Sequence, residues 1–408
     1  MIIPNEWKKS SVSEICKLQN GNSFKPQDWD TKGLPIIRIQ NLNGSDNFNY
    51  FSGIPQERWI IETGDLLFSW AGTKGVSFGP FVWRGIKGVL NQHIYKVQAQ
   101  DSIDEEWLFY VLKYVTIKIE NKAHGFKKTL VHVKKKDIDD QVISLPPLLE
   151  QQKIAKILTT WDKAISATER LIDNSTQQKK ALMQQLLTGK KRLLDESGKR
   201  FEGEWEALTI GDVVELFNGY AFKSSDALEK GYKWLKIANV GIGEIKWDSS
   251  SYLPEGYEDE YNRFNLKVGD VVVAMTRPTL GNQLKIARLK NKADESLLNQ
   301  RVAKLLFSEK VSSEYMYQLL STIEVALKLN HALLGTDPPN LSTKVLHKIS
   351  MELPPLIEQQ KIATVLTNAD KEIELLEQQL ADFQQEKKAL MQVLLTGKKR
   401  VVVDGDNS

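Results

Sequence analysis

The chain has 408 residues, 41% of them hydrophobic and 26% charged, a composition ordinary for a globular protein but a length too great for one compact core. Its 55 basic and 52 acidic residues give a net charge of +3, so any nucleic-acid binding must depend on local basic patches. The single cysteine, Cys16, fits a reducing compartment, and no apolar run approaches the roughly 20 residues that span a bilayer, so a cytoplasmic protein is expected.

The first 144 residues have the pattern of a mixed α/β unit. The apolar runs PIIRI at 35–39 and DLLFSW at 65–70 predict strands, and WLFYVLKY at 107–114 predicts a helix. The Gly-rich stretch AGTKG at 71–75 predicts a turn. Aromatic and basic residues interleave in such loops, and lysines are dense at 127–136. A lysine run is more often a solvated face than a DNA contact, so basic residues alone leave both interpretations open.

Residues 145–194 predict one long helix. The opening LPPLLEQQ places two prolines in the first turn, where proline is tolerated, and Gly189 is a natural C-cap. Lys-Lys-Arg follows that glycine, either to complement the helix dipole or to contact DNA. Thr168, Ser175 and Lys179 fall within an apolar seam, so we expect this helix to be the weaker partner on its own. The apolar residues recur at steps of four and three, as in a coiled coil: Ile154, Leu158, Trp161, Ile165, Ile172, Leu182 and Leu186.

The segment that follows repeats the first unit faintly. NGYAFK at 218–223 corresponds to NGNSFK at 20–25, and LLNQ at 297–300 corresponds to VLNQ at 89–92. Apolar runs such as DVVVAM and RVAKLLF again predict strands, and YMYQLLST at 315–322 predicts a helix. We therefore expect a second α/β unit with the same fold as the first.

Residues 353–400 align with 145–192 without a gap, with 30 identities in 48 positions. This second helix also ends at a glycine, Gly397, and each helix of about 40 residues would be roughly 60 Å long. Two incomplete seams in one chain most simply pack on each other, and an antiparallel pair would form a rigid spacer with one α/β unit at each end. The seam continues with one polar position, Lys387, and these apolar residues: Ile362, Leu366, Ala369, Ile373, Leu376, Leu380, Phe383, Leu390 and Leu394.

No catalytic constellation emerges from the sequence. Asp337-Pro338-Pro339 resembles the start of an amino-methyltransferase motif, but the fourth position is Asn340 and no Gly-rich cofactor loop lies upstream. We interpret this stretch as a turn that leads into the last strand. A Walker A motif is absent, the five histidines and one cysteine lack metal-ligand spacing, and Asp30-Thr31-Lys32 alone is a very weak nuclease signal. We predict neither catalytic nor metal-binding residues.

Two divergent units carrying NGxxFK and a later LNQ, each followed by a near-identical LPPLxEQxKIA helix ending in KKALMQ and LLTGKKR, resemble the specificity subunit of type I restriction–modification systems. The resemblance implies an α+β fold with two globular α/β target recognition domains, residues 1–144 and 195–352. A long antiparallel two-helix coiled coil, residues 145–194 and 353–400, would separate them in a pseudo-twofold tandem duplication. Residues 401–408 would be a flexible tail.

The resemblance also implies partners. In that family each recognition domain reads one half of a bipartite double-stranded DNA site, and the constant helices dock two modification subunits. Those subunits carry S-adenosylmethionine and methylate adenine, whereas separate restriction subunits use ATP and Mg to translocate and cleave DNA. This chain would then be non-catalytic, bind no cofactor and meet no membrane. Its docking surface would be rich in amides: Gln151, Gln152, Gln177, Gln178, Gln184 and Gln185.

The repeat separates two kinds of candidate DNA contact. Residues identical in both copies, such as Asn41 and Asn239, cannot distinguish two half-sites and are better interpreted as structural hydrogen bonders or phosphate contacts. Base readout should fall on residues that differ, and we favour the loop from Trp70 to Lys74 and the loop around Arg277. The full set of expected DNA contacts is Lys25, Arg38, Trp70, Thr73, Lys74, Arg84, Lys127, Lys128, Lys223, Lys236, Thr276, Arg277, Gln283 and Arg301.

Two other functions remain open at this point. One is a DNA-independent coiled-coil scaffold whose charged loops serve only solubility. The other is a fused restriction–modification enzyme, which the missing cofactor motifs make the weaker alternative. The DNA half-sites, the spacer length and the identity of the residues that read bases are not encoded in any motif of the chain.

Overall fold

The protein was analysed as a computed structural model that describes residues 4–122, 130–248, 250–335 and 337–403. Within them the helices are α1 (Val12–Ile15), α2 (Ile39–Leu42), α3 (Glu105–Lys122), α4 (Lys135–Asp139), α5 (Leu148–Leu186), α6 (Ile210–Val213), α7 (Tyr257–Glu260), α8 (Ser313–Leu320), α9 (Ile323–Ala332), α10 (Thr343–Leu346) and α11 (Leu356–Leu394). Short 3-10 turns lie at Pro26–Asp28, Glu57–Trp59, Ser224–Asp226, Ile237–Asn239, Asn262–Phe264 and Lys292–Asp294.

The strands of the first half are β1 (Lys8–Ser11), β2 (Cys16–Asn20), β3 (Leu34–Ile37), β4 (Asn49–Phe51), β5 (Ile60–Ile61), β6 (Leu66–Ser69), β7 (Ala71–Thr73), β8 (Gly79–Val82), β9 (Gly88–Leu90), β10 (Ile94–Ala99), β11 (Leu130–His132) and β12 (Val142–Leu145). Those of the second half are β13 (Glu206–Thr209), β14 (Val214–Asn218), β15 (Tyr232–Leu235), β16 (Tyr252–Leu253), β17 (Asn265–Leu266), β18 (Val271–Ala274), β19 (Thr279–Leu280), β20 (Gln283–Leu284), β21 (Ile286–Arg288), β22 (Ser296–Leu298), β23 (Val302–Phe307) and β24 (Ser350–Leu353).

The chain divides into two compact units. Unit 1 comprises Met1–Arg170 and Gln378–Ser408, and unit 2 comprises Leu171–Glu377. Each unit therefore contains one of the α/β segments expected from the sequence. Each also contains one part of α5 and one part of α11, because both long helices cross the boundary between the units.

Unit 1 is built on two four-stranded sheets. The first has the order β2-β10-β6-β8 and is antiparallel throughout. The second has the order β4-β3-β9-β5, in which β3 and β9 are parallel. Two smaller antiparallel pairs, β1-β12 and β7-β11, complete the unit. The apolar run in β6 is buried at every position, as expected of an inner strand.

Unit 2 has the same strand order. Its antiparallel sheet is β14-β23-β18-β21, and its mixed sheet is β16-β15-β22-β17 with β15 and β22 parallel. The pair β13-β24 matches β1-β12, whereas the small hairpin β19-β20 lies where unit 1 has β7. The predicted duplication and the α+β class are therefore confirmed by the topology.

Each unit packs one helical layer onto its antiparallel sheet. Trp107 of α3 is fully buried in unit 1, and Tyr315 of α8 is fully buried at the matching position of unit 2. An aromatic side chain buries roughly 150–250 Å², which stabilises the fold by about 4–6 kcal/mol at 25 cal/mol per Å². These cores also include the helix starts, Ile154 in unit 1 and Ile362 in unit 2, so each long helix is anchored on an α/β segment.

Antiparallel pairing of α5 with α11 occurs inside each unit. In unit 1 the rings of Trp161 and Phe383 meet with centroids 5.5 Å apart, and Asp162 pairs with Lys387. In unit 2 Lys179 Nζ lies 2.5 Å from Asp370 Oδ1. Every predicted seam residue is buried or half-buried. Lys179 is not left unpaired within the seam, because Asp370 of the other helix supplies a carboxylate for its charge.

A glutamate near the start of each long helix is buried and paired with an arginine. Glu358 of unit 2 accepts two bonds from Arg192, at 2.6 and 2.7 Å. Glu150 of unit 1 accepts from Arg400 at 2.6 Å and also from the Trp7 indole at 3.2 Å. The arginine of each Lys-Lys-Arg triplet is thus held inside its own unit. Such bidentate carboxylate pairs are geometrically specific.

Several local expectations need correction. The predicted turn at 71–75 contains strand β7, and the helix predicted at 315–322 is followed by a further helix, α9. The segment after Asn340 leads into α10 and not directly into the last strand. Val401 packs partly buried against the unit 1 core, so the expected flexible tail does not begin there. None of the helices in the described ranges has the length and apolar character needed to cross a bilayer.

Candidate nucleic-acid interface

The loop that joins β6 to β8, residues 70–78, is tightly organised. The Thr73 carbonyl accepts from the N–H groups of Val76 at 3.1 Å and Ser77 at 2.9 Å, and the Thr73 N–H donates to Ser77 Oγ at 2.7 Å. The buried helix residue Glu120 accepts from the Gly75 N–H at 2.8 Å through Oε1. Lys74 Nζ donates to the Glu120 carbonyl at 3.3 Å. The loop is therefore fixed on α3.

The equivalent loop of unit 2 joins β18 to β21, residues 275–285. It forms the hairpin β19-β20, whose two-residue turn starts at Gly281 with φ +59°, a value that favours glycine. Asn330 of α9 accepts from Thr279 Oγ1 at 2.6 Å and donates to the Gly281 carbonyl at 3.0 Å. This loop is also fixed on a helix, by a different side chain.

Arg277 lies in a strained backbone conformation at the start of the β18–β21 loop. Its φ is +49°, which is uncommon for a residue other than glycine, and its N–H donates to the Pro339 carbonyl at 2.8 Å. Thr276 Oγ1 donates to Asn340 Oδ1 at 3.3 Å. The Pro-Pro-Asn segment therefore braces this loop and holds the exposed Arg277 side chain outward. Strained residues of this kind cluster at functional sites.

The structure places the predicted DNA contacts in two groups. Those that are solvent-exposed are Lys25, Arg84, Lys223, Arg277, Gln283 and Arg301. Those that are half-buried are Arg38, Trp70, Thr73, Lys74, Lys236 and Thr276. Lys127 and Lys128 lie outside the described residues. A charged side chain can meet a phosphate or a base edge only if no ion pair within the protein holds it. Among the described residues, the five cations of the exposed group form no such ion pair.

Trp70 is largely a structural residue in this arrangement. Its indole Nε1–H donates to the Gln92 carbonyl at 3.1 Å, and its ring lies 4.8 Å from that of His132 and 5.1 Å from that of His93. Burial, with a smaller contribution from His132, lowers the pKa of His93. Unit 1 therefore has the neutral imidazole of His93 at the repeat position where unit 2 has the cation Arg301.

Asn41 and Asn239, which are identical in the two copies, are structural hydrogen bonders, one of the roles predicted for such residues. Asn41 Oδ1 accepts from the Arg38 N–H at 3.0 Å, and Asn239 Oδ1 accepts from the Lys236 N–H at 2.9 Å. Gly21 is equally constrained, because a Cβ there would lie 2.2 Å from the Leu90 carbonyl oxygen. These bonds fix the backbone at Arg38 and Lys236, two of the predicted DNA contacts.

Sequence reasoning missed two loop residues, Val76 and Leu280, and the two helix residues that hold the loops, Glu120 and Asn330. Glu120 and Asn330 hold the loops, and they are unlike each other, so no repeat pattern marks them. Val76 and Leu280 lie near the loop tips, and their exposed fractions are 62% and 67%. No group of His, Cys, Asp and Glu residues within the described ranges is arranged to hold a metal ion.

Comparison with known proteins identifies the family. The model of the type I restriction modification DNA specificity domain matches residues 4–175 and again residues 202–384. The chain belongs to this family. It is a specificity subunit with two DNA recognition domains, and subunits of this kind are non-catalytic.

Individual relatives agree with this assignment. The type I restriction enzyme MjaVIII specificity subunit of Methanocaldococcus jannaschii is 34% identical over 98% of this chain and 94% of its own length. The EcoBI specificity subunit of Escherichia coli is 22% identical over 67% of this chain and 61% of its own length. The crystal structure of a type I restriction–modification S subunit from M. genitalium has 15% identity and a TM-score of 0.58, covering 97% of this chain and 98% of that chain.

A further solved structure comes from work on complex assembly and conformational transition of a type I R-M system. That chain is 16% identical to this one, with a TM-score of 0.57, and the match covers 98% of this chain and 100% of that chain. At such low identity, these two structures support the shared fold and do not identify individual contacts.

Proposed function

We propose that this chain reads a bipartite double-stranded DNA target, with residues 1–144 reading one half and residues 195–352 the other. Residues 145–194 and 353–400 dock two modification subunits, which restriction subunits then join. S-adenosylmethionine, ATP and Mg belong to those partners and not to this chain. The complex works where the chromosome lies, in the cytoplasm.

One observation carries the DNA-reading proposal: the same strand order supports two loops of different sequence. The β6–β8 loop and the β18–β21 loop leave matching sheets at matching points, yet the first presents Val76 and the second Arg277, Leu280 and Gln283. Arg pairs well with guanine and Gln with adenine in the major groove, and aliphatic groups contact the thymine methyl. Two different loops on one scaffold suit a target with two different halves.

Four further predicted contacts are assigned to the DNA backbone. Lys25 and Lys223 occupy the same position of the NGxxFK motif, so they cannot discriminate between half-sites. Both are exposed and precede a 3-10 turn. Their ammonium groups are suited to phosphates, which would position the protein and confer salt dependence. Arg38 and Lys236 are assigned with them, because both are cations at matching repeat positions and matching Asn residues fix both backbones.

The docking proposal rests on exposed apolar residues at the two helix starts. Leu149 of α5 is 64% exposed and Ile357 of α11, at the matching repeat position, is 69% exposed. Gln152, Gln177, Gln178, Gln184 and Gln185 are also exposed, but Gln151 is 2% exposed and accepts from the Asp104 N–H, so it is excluded from the surface. A surface that occurs twice suits two copies of one partner.

The decisive experiment selects DNA from a duplex library with randomised positions, using the full chain assembled with its modification subunit. We expect a motif with two fixed halves and retention that weakens as salt rises. Replacing residues 1–144 by the equivalent unit of a relative should change one half only. A change in both halves would contradict the two-reader proposal, and retention without any sequence preference would favour the DNA-independent scaffold.

A further inference from the structure

The two loops are held from the same position in the fold. Lys118 of α3 donates to the Val142 carbonyl at 3.2 Å, and Lys328 of α9 donates to the Ser350 carbonyl, also at 3.2 Å. Val142 and Ser350 begin the matching strands β12 and β24. Glu120 and Asn330 each follow their lysine by two residues, so they are structural equivalents despite their different chemistry.

Glu120 acts on the β6–β8 loop from a buried position. Its side chain is 8% exposed, and its Oε1 accepts the Gly75 N–H at the point where the loop reverses direction. Gly75 has φ +70°, so this turn already requires glycine. Without an acceptor, the Gly75 N–H would lose its partner and the turn would relax toward other conformations.

Asn330 acts on the β18–β21 loop from both sides of its turn. The amide oxygen accepts from the Thr279 hydroxyl and the amide nitrogen donates to the Gly281 carbonyl. One planar group therefore bridges the first strand of the hairpin and its turn. An aspartate at this position would keep the first bond and lose the second, because a carboxylate has no donor.

Both anchors lie next to an exposed aliphatic side chain. Val76 follows the anchored Gly75 directly, and Leu280 lies between the anchored Thr279 and Gly281. The exposed fractions of 62% and 67% leave each side chain free for a base edge. An apolar contact with a thymine methyl discriminates only if its backbone is fixed to within a fraction of an ångström, since the attraction falls off steeply with distance.

We propose that Glu120 and Asn330 are positioning residues for DNA reading, each fixing the loop of its own unit and thereby controlling selectivity for one half-site. This inference rests on the proposed function. Neither residue touches DNA itself. Each acts through the loop, so its removal relaxes one half of the recognised sequence and leaves the other half intact.

The test uses near-isosteric variants of the full chain, assembled with the modification subunit and offered the randomised duplex library. Glu120→Met and Asn330→Leu remove the loop bonds while keeping side-chain volume. Glu120→Met removes one hydrogen bond and should lower the selectivity for its own half-site about tenfold. Asn330→Leu removes two hydrogen bonds and should lower the selectivity for the other half-site by about tenfold or more. Glu120→Gln retains an acceptor oxygen and should restore selectivity. Lys118→Met and Lys328→Met are matched controls, because these lysines bond the strand edges and not the loops.

The outcomes separate this inference from the proposed function. If the wild-type complex selects no motif, the proposed function fails and the inference falls with it. If the wild type selects a bipartite motif and Glu120→Met and Asn330→Leu keep both halves unchanged, only the inference is overturned. An equal loss in both halves would also overturn it. Asn330 is half-buried, so Asn330→Leu tests the proposal even if the buried Glu120→Met variant does not fold.

Discussion

Unit 1 and unit 2 hold equivalent loops in place with different side chains. Both pin a loop onto a helix, but unit 1 uses the buried carboxylate of Glu120 and unit 2 uses the amide of Asn330. By contrast, the ion pairs between α5 and α11 use the same residue types in both units. The ion pairs between the long helices are therefore the same in the two units, whereas the residues that anchor the loops differ, as the loops themselves do.

The largest expected effect comes from removing the arginine partner of one of the two buried glutamates, Glu358 and Glu150. Arg192→Ala leaves Glu358 buried without its arginine, and we expect unit 2 to lose about 3–5 kcal/mol of unfolding free energy. Arg400→Ala should cost unit 1 less, because the Trp7 indole still donates to Glu150. Denaturant unfolding with hydrogen exchange resolved by segment measures both.

Lys190→Ala is the control for that comparison, since this lysine is exposed in the same basic triplet. It should leave the unfolding free energy of unit 2 unchanged within about 0.5 kcal/mol. A greater loss for Arg400→Ala than for Arg192→Ala would contradict the role given to Trp7.

A smaller effect is expected from the seam lysines. Lys387 is 10% exposed in its side chain and Lys179 is 21% exposed, so Lys387→Met should destabilise unit 1 by about 2 kcal/mol and Lys179→Met should destabilise unit 2 by about 1 kcal/mol. The double variant Lys387→Met with Asp162→Leu should recover part of the loss, because it no longer leaves the Asp162 carboxylate without Lys387. Thermal unfolding of the four proteins tests this, and equal losses for both lysines would refute the ranking by burial.

The pH dependence of the stability of unit 1 tests the Asp162–Lys387 pair through the titration of Asp162. Burial raises the pKa of Asp162, but bonds from Lys387 and Tyr110 outweigh burial, so the pKa lies below its ordinary value. The stabilisation is therefore complete above the unfolded pKa of about 3.9 and is lost as the pH falls through the folded pKa. Asp162→Asn should destabilise unit 1 at pH 7 and flatten its stability curve on the acid side of the unfolded pKa. An unchanged acid limb in unfolding titrations would argue against this pair as a contributor.

The smallest effect concerns Arg301 and its counterpart His93. Arg301→His should reduce the salt slope of DNA binding, log K against log salt, by about one if this arginine neutralises one phosphate. His93→Arg should raise the slope by a similar amount. Binding titrations over a range of salt concentrations measure the slope, and a loss of selectivity at an unchanged slope would indicate base contact in place of phosphate contact.

The parts of the fold that follow from local sequence were predictable. Apolar runs identify β6, β18 and β23, and the paired prolines mark the starts of α5 and α11 to within a residue or two. The repeat adds the fold class, because two copies of one pattern must fold alike. These features depend on residues near each other in the chain, where periodicity and proline geometry are informative.

The parts that depend on long-range pairing were not predictable. The ion pair of Lys179 could not be predicted, because its partner, Asp370, lies 191 residues away in the chain. Glu120 and Asn330 gave no signal, since an isolated polar residue on a helix is usually solvated. Trp70 stays a predicted DNA contact, and only the fold shows that the Gln92 carbonyl accepts from its indole N–H.

The crossed pairing of α5 with α11 has a genetic consequence. The lysine, aspartate, glutamate and arginine that form the four ion pairs recur in both copies, and in every pair one copy supplies the cation and the other the anion. A crossover between the two copies of the repeated segment in this gene would therefore yield a hybrid helix that still carries all four residues. The helix encoded after such an exchange would keep every partner that the ion pairs with the other long helix require.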